Sequence, residues 1–256
     1  MSEDELVAER HGNALVLRIN RPEARNALNP SLIQAIGDAV LHAEDDPEIR
    51  AVVLTGTGDR AFCAGMDLRS FAERPSLGAD DGHRAFLRLM DGDVAVPFVG
   101  AANASAVAGG LELLLGCDLV VAAEGARFGL PEVQRGLIPG GSGTMLGARI
   151  PLALALELVL TGDLVDAARA REMGLVNAVV AADAVLPVAL AYAERIAANG
   201  PLAIRAAREL VRMAAVDRGS VRTRLDHWRP IVFASEDARE GAKAFIEKRA
   251  PNWQGR

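Results

Sequence analysis

The sequence predicts an α/β protein with a helical C-terminal part. In its first half, short apolar runs alternate with glycine-rich breaks and helical spacings, the succession expected where helices pack against sheets. After about residue 142 the strand signals fade and helical periodicities dominate, with no charge-rich or Ser/Gly-rich linker between the two parts. The expected division is an α/β core over residues 1–195 and a helical region over residues 196–256.

Each element has a local reason. Leu6–Glu9 and Ala14–Asn20 flank His11-Gly12-Asn13 and read as a β-hairpin, which Arg21-Pro22 ends. Ser31 is the expected cap of a helix through about His42, with Leu32, Ile36, Ala39 and Val40 on one face. Ala51–Thr55 is a short buried strand closed by Gly56 and Gly58, and Phe98–Ala102 and Leu119–Ala123 read as two more. Between the last two, the Gly109–Gly116 stretch has room for two helical turns. The region Phe71–His83, with Pro75, Gly78 and Gly82, reads either as a substrate-covering loop or as a plain solvated connector. Later, Pro201 suits the first position of a helix striped by Leu202, Ala206, Leu210 and Met213. Ser235 starts another, carrying Ala238, Ala242, Phe245 and Ile246.

Composition narrows the function classes. The chain has 256 residues, of which 50% are hydrophobic and 24% charged, enough for a sizeable core. Aromatic content of 4% argues against base-stacking platforms, and a net charge of −6 gives no general attraction to nucleic acid or an anionic membrane. Arginine supplies nearly all the positive charge, the only lysines being Lys243 and Lys248. No signal-like start and no uncharged apolar run of about 18 residues is present, so a cytoplasmic, non-membrane protein is expected. Cys63 and Cys117 lie among apolar neighbours and read as reduced core residues.

Three stretches carry possible chemistry. The first is Ala108-Gly109-Gly110-Leu111-Glu112-Leu113-Leu114-Leu115-Gly116. Its glycines open a short helix whose first N–H groups lack intrahelical partners and sit at the positive end of the dipole, a place for an oxygen that becomes anionic. The same glycines also fit a crowded helix–sheet contact. Glu112 has apolar neighbours on both sides, although a first-turn acid is also explained by the dipole alone. The second stretch, Phe128-Gly129-Leu130-Pro131-Glu132-Val133, runs on to Ile138-Pro139-Gly140-Gly141-Ser142-Gly143. Glu132 after proline is a common helix start; if it converges with Glu112 on one water, burial and repulsion separate their pKa values into acid and base. The third stretch, Ala61–Leu68, follows a strand and aims the Met66 N–H into a cleft, or else is a strand-to-helix loop with Asp67 as cap.

Other chemistries fit poorly. His11, His42, His83 and His227 are scattered, with neither HExxH nor Cys-x-x-Cys, so no metal site is expected. Ser142 lacks the second glycine of a nucleophile elbow, Thr144 standing there, and Leu146 spoils a dinucleotide fingerprint.

In this order and at these separations, the three stretches resemble the crotonase family of enoyl-CoA hydratases and isomerases. The resemblance spans essentially the whole chain, from Arg21-Pro22-Glu23-Ala24-Arg25-Asn26-Ala27-Leu28 through Leu160-Thr161-Gly162-Asp163 to Glu236–Gly241 and Ala244–Arg249. It implies a crotonase-type spiral of ββα units whose helical C-terminal region drives assembly into a homotrimer or a homohexamer. It further implies an acyl-CoA substrate with its thioester oxygen between the backbone N–H groups of Met66 and Gly109, and Glu112 and Glu132 as the catalytic pair around a water. Ala108 replaces a frequent glycine, a change expected to be minor. The implied CoA contacts are Glu23, Ala24, Arg25, Ala64, Asp67 and Leu68, with Phe245 and Lys248 reaching the nucleotide of a neighbouring subunit. No cofactor is implied beyond the CoA that enters with the substrate. The activity so implied is 2-enoyl-CoA hydration to 3-hydroxyacyl-CoA. The rivals are a Δ3,Δ2-enoyl-CoA isomerase, a carnitinyl-CoA dehydratase or steroid-thioester relative suggested by the C-terminal ending, and a catalytically silent acyl-CoA-binding subunit.

Overall fold

A computed structural model of the chain describes residues 4–67 and 80–256. The expected hairpin is present: β1 (Leu6–His11) runs antiparallel to β2 (Ala14–Ile19), with Leu6 opposite Ile19 and Gly12 at φ +59° in the turn. β3 (Ala51–Gly56) lies parallel to β2. β4 (Phe98–Ala102) pairs with β3, in the same direction. Every residue of β3 and β4 is buried, the near-continuous apolar run of a parallel strand covered on both faces.

The chain then passes to a second, smaller sheet through β5 (Ala106–Val107), returns to the first in β6 (Leu119–Ala123), and crosses again to β7 (Arg127–Gly129). β8 (Val165–Asp166) closes the small sheet in the order β5-β7-β8, and β9 (Ala178–Val180) ends the large one in the order β1-β2-β3-β4-β6-β9. Isolated parallel bridges, Cys63 with Ala106 and Leu28 with Met66, extend the small stack. From β4 to β7 the chain thus alternates between the two sheets. One expectation is corrected here. Strands continue after residue 142, and β8 and β9 were invisible because two or three residues carry no periodicity and their partners are distant in sequence.

The helices fill the crossings. α1 (Pro30–Asp45) is capped by Asn29, whose side chain accepts from the Leu32 amide at 2.8 Å, and not by Ser31. Pro30 at the first position sets the start earlier, and the Ser31 hydroxyl donates to Glu5 instead. α2 (Asp81–Asp91), capped by Asp80, crosses α1 so closely that a Cβ on Gly37 would lie 1.7 Å from the Gly82 carbonyl oxygen. Of the Phe71–His83 region, residues 71–79 lie outside the described residues, while His83 is buried in the first turn of α2 rather than in a loop.

α3 (Gly109–Gly116) is the two-turn helix expected, and seven of its eight residues are buried. α4 (Leu152–Thr161) and α5 (Ala167–Met173) follow, and α6 (Val185–Ala197) packs across β3, β4 and β6. The expected boundary at 195 falls in the last turn of α6, just before the helical region begins. That region consists of α7 (Pro201–Val216), α8 (Arg218–Phe233) and α9 (Glu236–Glu247), with Ser235 capping α9 as expected. α7 is tied to the core by Arg208 and Arg212, whose Nε atoms lie 2.8 and 2.9 Å from the Asp118 carboxylate. Cys63 and Cys117 are both free and buried, and burial pushes each thiol up to about 12.

Candidate active site

The small sheet brings the chemistry-bearing stretches together. β5 and β7 are neighbouring parallel strands with Val107 opposite Gly129, and the Ala108 amide donates to the Gly129 carbonyl at 3.0 Å. One strand leads into α3 and Glu112. The other leads into the 3-10 turn Pro131–Arg135 that carries Glu132. Both acids therefore sit just beyond the carboxyl ends of adjacent parallel strands, where α/β proteins place their ligands.

The Met66 segment joins them from the side. The Leu28 amide donates to the Gly65 carbonyl, and the Asp67 amide donates to the Leu28 carbonyl, both at 2.8 Å. Because successive N–H groups of an extended strand alternate, the Met66 N–H faces away from Leu28. It faces α3: a Cβ built on Gly109 would lie 3.7 Å from the Met66 nitrogen, and one on Gly65 3.2 Å from the Gly109 nitrogen. Gly65 has φ +94°, so only glycine brings the two backbones this close without strain. Neither the Met66 nor the Gly109 amide has a protein acceptor among the described residues. Two adjacent, undonated amides at the start of a buried helix are chemically able to act as a socket for an oxygen that gains charge.

Ala108 links β5 to α3 at φ +53° and ψ −129°, a conformation of order 1–3 kcal/mol above the ordinary regions for a residue with a Cβ. Its replacement of glycine is therefore not a minor change.

The two glutamates differ in surroundings. Glu112 is 4% exposed, and its Oε1 accepts from the Gly141 amide at 2.7 Å and the Gly143 amide at 3.0 Å. The Ser142 hydroxyl donates to its backbone carbonyl at 3.0 Å. One oxygen is thus held rigidly, while Oε2 takes no protein donor among the described residues. Glu132 is half-buried, and its Oε2 is shielded from solvent without a hydrogen-bond partner. Desolvation raises its pKa above the ordinary carboxylate value, and the charge of Glu112 raises it further.

Comparison with known proteins decides the family. The family model described as enoyl-CoA hydratase/isomerase matches residues 9–256. Enoyl-CoA hydratase EchA19 of Mycobacterium tuberculosis is 40% identical over 257 residues, spanning 98% of this chain and 96% of that protein. The chain belongs to the enoyl-CoA hydratase/isomerase family. A carnitinyl-CoA dehydratase of Salmonella typhi is 39% identical over 255 residues, spanning 96% of this chain and 97% of the relative. The crystal structure of an enoyl-CoA hydratase from Mycobacterium tuberculosis superposes with a TM-score of 0.90 at 40% identity, covering 99% of this chain and all of that one.

The remaining positions suggested by the enoyl-CoA hydratase/isomerase resemblance divide into three groups. Glu23 and Ala24 lie in a 3-10 turn next to Arg25, Glu23 and Arg25 are exposed, and the Ala64 amide donates to the Arg25 carbonyl at 3.1 Å. This wall adjoins the Met66 segment. Asp67 lies there too, its Oδ2 3.2 Å from Arg21, while Leu68 and whatever Asp67 would cap fall outside the described residues. Phe245 and Lys248 are exposed on and just after α9, which packs on α8 and not on the site of its own chain.

Sequence reasoning missed the anchoring of Glu112 by the Gly141–Gly143 turn. The signal was present, since Gly140-Gly141-Ser142-Gly143 follows Glu132 closely, but its amides point back to a residue about thirty positions earlier. Among the described residues, no helix is long and apolar enough to cross a membrane.

Proposed function

We propose that the protein is an enoyl-CoA hydratase that adds water reversibly across the 2,3 double bond of a 2-enoyl-CoA thioester. The thioester oxygen lies between the Met66 and Gly109 amides. Glu112, fixed through Oε1, uses its other oxygen to take a proton from water as the water oxygen attacks Cβ. The C=C electron pair moves through Cα onto the thioester oxygen, where each amide donor is typically worth about 10²–10³ in rate. Glu132 then gives its proton to Cα, and proton return from Glu112 to Glu132 through solvent resets the pair. Acid, base and two amides supply every proton and charge that this reaction needs, so it calls for no metal or redox cofactor.

The observation that carries this reading is the asymmetry of the carboxylates: one oriented by two amides, the other desolvated and raised toward its protonated form. The same pair run backwards dehydrates a 3-hydroxyacyl-CoA, in keeping with relatives named for either direction. In this reading, Glu23, Ala24, Arg25, Ala64 and the Asp67 backbone hold CoA, with Phe245 and Lys248 contributed across a trimer interface built by the helical region.

Glu112→Gln and Glu132→Gln are each expected to cut hydration of 2-butenoyl-CoA by about 10²–10⁴-fold while CoA affinity is kept. Undiminished turnover in Glu112→Gln would overturn the assignment. Conversion of a 3-enoyl thioester without consumption of the 2-enoyl thioester would replace it with an isomerase.

A further inference from the structure

We propose that Arg21 is a positioning residue that fixes the Met66 amide of the oxyanion socket; the proposal rests on the hydratase reading. The Met66 N–H is presented by a short parallel bridge between the Ala27–Leu28 segment and the Met66–Asp67 segment. A bridge this short has few hydrogen bonds to resist twisting, and Gly65 at φ +94° lies immediately before Met66. The amide direction therefore needs an outside brace.

Arg21 is placed to be that brace, because its guanidinium grips both sides of the bridge. Nη1 donates to the Ala27 carbonyl on one segment, and Nη2 lies 3.2 Å from Asp67 Oδ2 on the other. Nε lies 2.9 Å from Glu5 Oε1, and Glu5 also accepts from the Asn29 side chain at 2.8 Å at the start of α1. The backbone of Arg21 is held as well: its amide donates to Asn26 Oδ1 at 3.0 Å and its carbonyl accepts from the Asn26 amide at 2.8 Å. Asn26 is fully buried and bonds onward to the Thr57 and Ala61 carbonyls.

The Arg21 and Asp67 side chains are only 13% and 18% exposed, so solvent screens the pair weakly. A planar guanidinium with five donors in a fixed fork can hold three acceptors at set angles; a lysine ammonium on a flexible stem cannot. Socket donors lose their value when displaced by a fraction of an ångström or tilted by about 10–20°. Arg21 touches no reacting atom in this arrangement. It acts through the amide it holds in place.

The test uses the full chain with Arg21→Gln, Arg21→Lys and Asp67→Asn. Three measurements are made: hydration of 2-butenoyl-CoA, affinity for CoA itself, and the absorbance of bound cinnamoyl-CoA, a conjugated thioester that shifts to longer wavelength as its carbonyl is polarised. Arg21→Gln is expected to lower kcat by about tenfold or more and to lose most of the red shift, with CoA affinity within about threefold of wild type. Arg21→Lys, keeping charge but not the fork, is expected to recover only part of the shift, and Asp67→Asn to fall between. Any folded variant of Arg21 with the full red shift and wild-type kcat overturns the proposal. So does a set in which every variant loses the fold, for Arg21 is then a residue of stability alone. A wild-type protein that shows the red shift but does not hydrate 2-butenoyl-CoA sinks the hydratase reading, while the shift still tests Arg21.

Discussion

Gly110→Ala tests the closeness of the two backbone segments on which the site depends. A Cβ at Gly110 would lie 2.0 Å from the Cys63 carbonyl oxygen and 2.7 Å from its carbon. A carbon normally approaches a carbonyl oxygen to about 3.3 Å, so α3 and the Cys63 segment must part by about 1 Å. Both sides of the contact are backbone, and neither yields by turning a side chain. Overpacking of this kind costs about 1–3 kcal/mol, against about 1 kcal/mol that alanine gains over glycine inside a helix. A net destabilisation of up to about 2 kcal/mol follows, read by urea unfolding. The kinetic effect is larger, because Cys63 leads to Met66 and Gly110 adjoins Gly109, so the two socket amides move apart. A misplacement of about 1 Å is worth about 10²-fold in rate. The assay is loss of 2-enoyl thioester absorbance. Gly109→Ala is the companion, since its Cβ meets only ordinary contacts of 3.5–3.7 Å, the farthest being the Met66 nitrogen. It is expected to leave stability nearly unchanged while crowding the socket and suppressing turnover. A Gly110→Ala protein as stable and as active as wild type would refute the reasoning.

Three further outcomes are expected. Because burial raises the pKa of Glu132, the folded protein keeps that proton over a range where the unfolded chain has lost it. The stability this contributes is complete below the unfolded carboxylate value and disappears as pH rises through the folded value. Glu132→Gln should accordingly have a higher Tm than wild type at about pH 7, the gap closing toward about pH 4, and a lower Tm at neutral pH would refute this. Ala108→Gly relieves the left-handed conformation before α3 and is expected to stabilise by about 1 kcal/mol after the entropy of glycine is subtracted; a drop in Tm would count against it. Asp118→Asn leaves Arg208 and Arg212 facing each other beside Arg149 and is expected to cost about 3 kcal/mol in urea unfolding, with less than about 1 kcal/mol refuting the tether.

What the sequence made legible was whatever is decided within a few residues. The β1–β2 hairpin, the β3, β4 and β6 strands, and the two-turn α3 helix announce themselves through apolar runs and glycine breaks, and they fall where expected. Glu112 and Glu132 were legible as a pair because an acid in an apolar, glycine-rich setting is costly enough to need a reason. The rest depends on distance in sequence. β8 and β9 exist because β7 and β6 offer them edges, the Gly141–Gly143 amides matter because Glu112 lies beneath them, and Asp118 draws in arginines some ninety residues away. The start of α1 shows the same competition at short range: Asn29 and Ser31 are both capping residues, and what selects Asn29 is Pro30 together with a Glu5 carboxylate arriving from β1's leading edge to engage Ser31. Arg21 combines both lessons. Its neighbours Pro22–Leu28 mark the family in the sequence, yet its three acceptors come from residues 5, 27 and 67, and only their meeting in space shows an arginine stapling the strand that carries the socket amide.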